Sequence, residues 1–238
     1  MLIKLLQPIG TTAAIVLAAT ASLASPLLSE STLQISLEFP PAPERQGAQS
    51  SVGGGTRGQD REVCSQGETP LTALVPKDTE VQKTISHRPD FFLFIPQTSA
   101  KTAEFQLLDE VGNDVYIDSL ELPKTSGIVQ ISLPESVMLE VGQTYNWQVV
   151  ISCDSDNPAV VESVQGEIER IALSDELKTQ IEATDEPLKQ AELFAQQRIW
   201  QDTLMLMVEL RDSNPTEWQQ LLQSVGLETL ATVPMIQN

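Results

Sequence analysis

The sequence is poor in the residues that most enzymes use for catalysis. Its 238 residues include one histidine, His87, and two cysteines, Cys64 and Cys153. This set is too small for the ligands of a zinc site. His87 lies just before Pro89 in a loop context, and no G-x-S-x-G motif is present, so a serine-hydrolase triad is not indicated. The sequence therefore predicts a non-enzymatic protein without a cofactor.

Basic residues are also few. The chain has 14 Lys and Arg against 33 Asp and Glu, which gives a formal net charge of −19 at pH 7. Phosphate backbones and anionic membrane surfaces repel such a chain, so we expect no nucleic-acid partner. High acidity is typical of a very soluble protein, and attraction to a basic partner is the alternative interpretation.

Long apolar runs are confined to the N-terminus. Lys4 precedes a charge-free, weakly apolar run over residues 5–21, and small residues follow as far as Ala24. This order is typical of a secretory signal peptide over residues 1–25, cleaved near Ala21 or Ala24. Interspersed Pro, Gly and Thr make the run too polar for a membrane anchor. We expect an exported protein, periplasmic or extracellular, without a stable membrane span after cleavage.

Export bears directly on the two cysteines. An oxidising compartment favours a disulfide between Cys64 and Cys153, which would close a long loop and stabilise the fold by about 4 kcal/mol. Two free buried thiols are the alternative.

The segment after the signal peptide is rich in Pro, Gly, Ser and Gln. This composition predicts a flexible linker over residues 26–62, although the alternation from Leu33 to Phe39 would also suit an early strand. The glycine-rich run from Gly53 to Gly58 lacks the Lys and Ser/Thr ending of a phosphate-binding loop. Arg57, a base in an acidic chain, is a candidate interaction residue.

Short alternating segments separated by turn residues occupy residues 63–173. They predict an antiparallel β-sandwich, immunoglobulin-like in architecture. The apolar segment Phe91–Ile95 is typical of a strand covered on both faces. Alternation from Tyr145 to Cys153 places Cys153 on the face that holds Trp147. We therefore expect a buried disulfide beside this indole.

The apolar period changes to about 3.6 after Leu173, which predicts a helical domain over residues 174–230 and a tail over 231–238. Ser174 is the cap of a first helix, and Pro187 begins a second that continues to Leu210. Asn214 caps a third. The fold class is therefore α+β, a β-sandwich with a C-terminal helical tail of two to three helices.

Two further groups of residues invite a functional interpretation. Trp200 and Trp218 are candidate interaction residues that would line a ligand groove, and packing in the helical core is the alternative. Asp154 and Asp156 have the spacing that begins a calcium loop, but the Gly and Glu of an EF-hand are missing. A turn explains these two acids as well, so no metal is assigned.

Several motifs together resemble the cyanobacterial domain of unknown function 928 family. They are Gly53–Gly58, Cys64, Leu71–Pro76, Phe92–Pro96, Glu104 with Phe105, Tyr145 with Trp147, Cys153, Gly166 with Ile168 and Arg170, and Trp218–Leu227. The resemblance implies an exported protein without an assigned activity, and it transfers no catalytic residue. Around Trp200 the sequence departs from the family pattern, at Arg198, Gln201 and Thr203.

These observations favour a non-enzymatic exported module that binds another protein or a cell-envelope component. The alternative is a protein that binds a small molecule or carbohydrate between sandwich and helices. A carboxylate-dependent hydrolase is a third hypothesis, for which the sequence names no acid pair.

Overall fold

The described part of the chain forms strands first and helices afterwards. The computed structural model describes residues 37–41, 64–77, 81–153 and 161–236. The strands in these ranges are β1 (Ser65–Gln66), β2 (Thr72–Ala73), β3 (Val81–Thr84), β4 (Asp90–Ile95), β5 (Gln97–Thr98), β6 (Thr102–Asp109), β7 (Asp114–Glu121), β8 (Gly127–Ser132), β9 (Thr144–Ser152), β10 (Val161–Arg170) and β11 (Met235–Ile236). The helices there are α1 (Asp175–Glu182), α2 (Pro187–Gln196), α3 (Trp200–Leu210) and α4 (Pro215–Ser224), followed by a 3-10 turn at Glu228–Leu230. The fold is therefore mixed α+β, with several sheets and four helices near the C-terminus of the described chain.

The strands of the described ranges pair into three sheets. The largest has the order β3-β10-β9-β6-β7, the second has the order β11-β8-β4-β2, and β1 pairs with β5. The prediction of antiparallel pairing over residues 63–173 is wrong for β10 and β3, which pair in parallel. Strand β11, which lies in the predicted tail, also pairs in parallel, with β8. Parallel neighbours need a long connection, and alternation within a segment does not indicate which distant strand it will join.

Strand β4 lies at the centre of the core. Every residue from Asp90 to Ile95 is buried, which confirms that this strand is covered on both faces. The ring centroid of Phe91 lies 5.1 Å from that of Phe105 on β6 and 5.4 Å from that of Trp147 on β9. The two larger sheets therefore contribute to one hydrophobic core.

Strand β9 confirms the predicted alternation, with an exception at its end. Tyr145, Trp147 and Ile151 are buried, and Cys153 forms a disulfide with Cys64. The expectation that the disulfide lies buried beside Trp147 is wrong. Both cysteines are only half-buried, and Cys153 is six residues beyond Trp147, about 20 Å along an extended chain.

The helical region has one helix more than predicted. The second predicted helix is interrupted, so that α2 ends at Gln196 and α3 begins at Trp200. Arg198 lies between them with a positive φ of 59°, and its guanidinium donates to the backbone carbonyls of Pro40 and Pro41. These contacts with a distant segment favour a break that the apolar period does not predict.

Helix capping agrees with the sequence at one end and differs at another. The Ser174 hydroxyl accepts a 3.2 Å hydrogen bond from the Leu177 N–H, as expected of a cap. Asn214, the predicted cap of the last helix, makes no side-chain capping bond. Its carboxamide oxygen instead accepts a hydrogen bond from the Ser213 hydroxyl.

Two short segments outside the predicted domains are packed against the core. Leu37 and Phe39, within the predicted flexible linker, are 1% and 3% exposed. The Phe39 ring lies edge-on to Trp200, with 5.0 Å between centroids. At the other end, Met235 and Ile236 of the predicted tail pair with β8. Apolar side chains therefore recruit both segments to the core despite their polar surroundings.

Some predictions concern residues that the structure does not describe. The signal peptide over 1–25, the glycine run with Arg57, and the acids Asp154 and Asp156 all lie outside the described residues. Among the described residues, the helices are too short or too polar to cross a membrane.

Candidate functional site

A solvent-open cavity of about 220 Å³ lies where the loop between β3 and β4 meets the first three helices. It is lined by Thr84, Ser86, Pro89, Asp90, Ile181, Gln190, Phe194, Gln201, Asp202, Met205 and Leu206. We call it the junction cavity. Its walls come from a sheet edge on one side and from α1, α2 and α3 on the other.

Helix α3 supplies much of the cavity wall through residues one turn apart. Gln201, Asp202, Met205 and Leu206 lie on adjacent positions of one helical face. The side-chain amide of Gln201 donates to the backbone carbonyl of Asp90. This contact holds the start of α3 against the start of β4.

Asp202 is the acid of the cavity lining whose pKa is shifted. Its carboxylate accepts a 3.0 Å hydrogen bond from the backbone N–H of Ile85. Burial raises the pKa of Asp202 to about 6, while hydrogen bonds from the Ile85 N–H and the Thr84 hydroxyl act in the opposite direction. Burial has the larger effect because it disfavours the charged form in a low-dielectric surrounding.

Asp90 is a second acid in the lining, but its carboxylate has a partner elsewhere. It accepts a hydrogen bond from the Ser132 hydroxyl on the neighbouring strand, and the residue is 8% exposed. Asp90 therefore secures the β4–β8 pair, whereas Asp202 is tied to the loop at the cavity wall.

The remaining lining is mostly apolar. Pro89, Ile181, Phe194 and Leu206 present hydrocarbon surface, and Met205 is 37% exposed. Mixed walls of this kind, with a few polar groups among apolar ones, are typical of small-molecule sites. The volume is below the roughly 300–1,000 Å³ of drug-sized sites, so the cavity suits a small ligand.

Trp200, predicted as a candidate interaction residue, points away from this cavity into the core. Its side chain has no exposed surface, and its indole N–H donates a 2.8 Å hydrogen bond to the Leu74 carbonyl. The core-packing alternative describes its position. The residue nonetheless matters to the site, because it anchors the helix that carries Asp202.

Trp218 lies at a different place. It is 4% exposed, and its indole N–H donates a 3.0 Å hydrogen bond to the Ala231 carbonyl. It borders an open groove of about 550 Å³ between α4 and the C-terminal segment, which also includes Arg211, Pro215 and Met235. The two tryptophans therefore do not form one groove.

The disulfide has an acidic neighbour. The sulfurs of Cys64 and Cys153 and a carboxylate oxygen of Glu162 lie within 4.8 Å of one another. Glu162 also accepts a 2.9 Å hydrogen bond from the Ser65 N–H. Metals bind thiolates rather than disulfide sulfurs, so this group does not define a metal site in the oxidised protein.

Sequence reasoning missed Asp202 and Gln201 as site residues. The available signal was their polarity, since both interrupt the apolar face of a helix that begins with Trp200. Polar residues also interrupt the apolar face of a helix where that helix meets solvent. Only the packing of α3 on the β3–β4 loop distinguishes a site residue from an ordinary exposed polar residue.

The fold and the cavity thus define a mixed α+β protein with a ligand-sized space between sheets and helices. The chain belongs to the family of the Domain of Unknown Function DUF928, whose family model matches residues 52–235. Comparison with curated proteins gives no match. The crystal structure of CopC from Methylosinus trichosporium OB3b is similar over 44% of this chain and 99% of that chain, at 13% identity and a TM-score of 0.29. A similarity of this extent supports no conclusion about function.

Proposed function

We propose that the protein is an exported, non-enzymatic binding protein and that a small molecule occupies the junction cavity. The observation that carries the proposal is the cavity itself, which combines apolar walls with the partly buried carboxylate of Asp202. A fully packed boundary between sheets and helices would have excluded this function. The position at the meeting of two structural layers is a common one for ligand sites.

Export is the second part of the proposal. The disulfide between Cys64 and Cys153 supports it, because such bonds persist in oxidising compartments and are rare in the cytosol. The signal-like order of residues 1–25 supports it independently. The proposed compartment is the periplasm or the exterior of a cell, and a cyanobacterial origin stays a prediction from the resemblance.

The proposed architecture of the strand region is an immunoglobulin-like sandwich. Its support is the contact of Phe91 on one large sheet with Phe105 and Trp147 on the other. Two faces that meet through aromatic side chains are typical of packed sheets. The two parallel pairings distinguish it from a purely antiparallel sandwich.

A protein or envelope partner is the second candidate function. The observation in its favour is the open groove beside Trp218, which is larger than the junction cavity. A partner segment in this groove would contact Arg211 and Pro215 at one side and Met235 at the other. Cross-linking from Gln219 in the groove, compared with Gln130 on exposed sheet surface, would identify such a partner in the envelope.

A hydrolase is less favoured by the geometry. Asp90 and Asp202 both line the cavity, but the Asp90 carboxylate is bound by Ser132 and nearly inaccessible. A glycosidase needs both carboxyl groups free to face the scissile bond.

The ligand proposal is tested by a fragment screen that reads the Tm of the mature, disulfide-bonded protein. Met205→Trp places a large ring at the cavity wall, and Met138→Trp makes the same change on an exposed loop, since Met138 is 60% exposed. We expect fragments that raise the Tm of the native protein and of the Met138 variant but not of the Met205 variant. Hits that survive Met205→Trp, or a screen without hits, would contradict the proposal.

A further inference from the structure

The junction cavity is acidic and has no base in its lining. Among its lining residues, Asp90 and Asp202 are the ionisable side chains, and neither Lys, Arg nor His contributes. The chain as a whole has a net charge of −19, so the field of the protein also attracts cations toward such a space.

The carboxylate of Asp202 is satisfied by neutral groups. Its hydrogen-bond donors are the Ile85 N–H and the Thr84 hydroxyl. Among the described residues, salt bridges join Lys178 to Glu182 and Arg211 to Asp212, and none of these four residues lines the cavity. A carboxylate that is partly removed from water and has no opposite charge beside it is destabilised, and a bound cation would relieve that cost.

A basic side chain near this region is held by other groups. The guanidinium of Arg170 donates a 2.7 Å hydrogen bond to the Leu139 carbonyl and a longer one to the Ile85 carbonyl. No cationic side chain contributes to the shifted pKa of Asp202. His87 and Arg88 lie in the same loop, and Lys178 and Lys189 lie on the same helices, but none of these basic residues lines the cavity. The lining therefore supplies an acid without a base beside it.

On this basis we infer that the ligand is a small organic cation, an ammonium or guanidinium compound with a short apolar body. The charged head pairs with the Asp202 carboxylate, and the body lies against Phe194, Met205 and Leu206. This inference rests on the proposed function, because it assigns a ligand class to the same cavity. A neutral or anionic ligand of equal size would leave the Asp202 charge unpaired.

The test uses two ligands of nearly the same shape, benzylamine and benzyl alcohol. The first is cationic at pH 7.5 and the second is neutral. Isothermal titration of the mature, disulfide-bonded protein should give a Kd for benzylamine at least about tenfold lower, as expected for a charge-assisted hydrogen bond. Binding of neither compound would contradict the proposed function as well as the inference. Equal binding of both would leave the proposed function standing and overturn the cation assignment.

Two variants assign the preference to its residue. Asp202→Asn removes the cavity charge, and Glu209→Gln removes one exposed charge from the same helix. We expect the preference for benzylamine to vanish in the first variant and to persist in the second. Loss of the preference in both variants would mean that the acidic protein attracts benzylamine in general, and would overturn the inference. Persistence of the preference in Asp202→Asn would also overturn it.

A measurement on the native protein tests the inference even if the Asp202→Asn variant fails to fold. The Ile85 N–H donates to Asp202, so its NMR signal reports on that carboxylate. Benzylamine should shift the Ile85 amide signal with saturation, whereas benzyl alcohol at equal occupancy should shift it far less. An Ile85 signal that does not respond to saturating benzylamine would overturn the inference.

Discussion

The indole N–H of Trp200 donates a 2.8 Å hydrogen bond to the backbone carbonyl of Leu74, 126 positions earlier in the chain. Both residues are fully or almost fully buried. The bond joins the first turn of α3 to the segment after β2. It therefore fixes the helix from which Asp202 and Met205 project into the junction cavity.

Trp200→Phe tests this anchor. The change removes the donor and leaves the Leu74 carbonyl buried without its partner, which should lower the free energy of unfolding by about 1–3 kcal/mol. Urea unfolding of the two proteins measures the difference. Val111→Ala is the control, because Val111 is 81% exposed and its loss should change stability by less than about 0.5 kcal/mol. Equal stability of Trp200→Phe and the native protein would contradict the anchor.

Asp202 should make stability depend on pH in a defined direction. Its pKa is raised to about 6 in the folded protein from an ordinary 3.8, so the folded state binds more protons than the unfolded state between these values. The contribution of Asp202 to stability therefore improves as pH falls through 6 toward 4. Ionised and buried above pH 6, the residue destabilises the fold.

Asp202→Asn removes this pH dependence. The free energy of unfolding of the variant minus that of the native protein should be larger at pH 7.5 than at pH 4. A pKa shift of this size corresponds to a change in that difference of up to about 3 kcal/mol. Urea unfolding across this range measures the difference between the two proteins. Glu209→Gln, which changes an exposed acid, should follow the native curve within error. A constant difference for Asp202→Asn across the range would show that burial does not raise this pKa.

The disulfide is expected to make a large contribution to stability. Cys64 and Cys153 are 89 positions apart, and closing a loop of that length restricts the unfolded chain by about 4 kcal/mol. Replacement of both by Ser should lower the free energy of unfolding by roughly this amount, and reduction of the native protein should match it. A loss below about 1 kcal/mol would mean that removal of the disulfide adds little conformational freedom to the unfolded chain.

Gly166→Ala tests a close approach between neighbouring strands. A Cβ at position 166 would lie 2.7 Å from Cζ2 of Trp147, which is directly opposite in the β9–β10 pair. We expect a loss of about 1–3 kcal/mol in the free energy of unfolding, typical of overpacking. In the double variant with Trp147→Phe, the combined loss should be smaller than the sum of the single losses. Simple additivity would place the cause of the loss elsewhere.

Local patterns in the sequence predicted local structure well. The alternation around Trp147 gave the correct buried face of β9, and the uniformly apolar Phe91–Ile95 is the central strand. Gly112 and Asn113, residue types typical of hairpin turns, lie between β6 and β7, which pair antiparallel. In each of these, neighbouring residues carry the information.

Features that depend on distant contacts were not predictable in the same way. At the break between α2 and α3, Arg198 has a left-handed backbone and its guanidinium contacts the Pro40 and Pro41 carbonyls, and no helical period encodes these features. The junction cavity combines Thr84 with Asp202, which are far apart in sequence. From the sequence alone, Asp202 cannot be distinguished from an ordinary acid on a helix surface. Its role depends on the packing of the β3–β4 loop against it.

A crystal structure of the mature protein soaked with benzylamine would show where this ligand binds. We expect the aromatic ring in the junction cavity against Phe194 and Leu206, with its nitrogen within hydrogen-bond distance of the Asp202 carboxylate. A cavity that holds only water, at a concentration where benzylamine binds elsewhere on the protein, would exclude the junction cavity as the binding site.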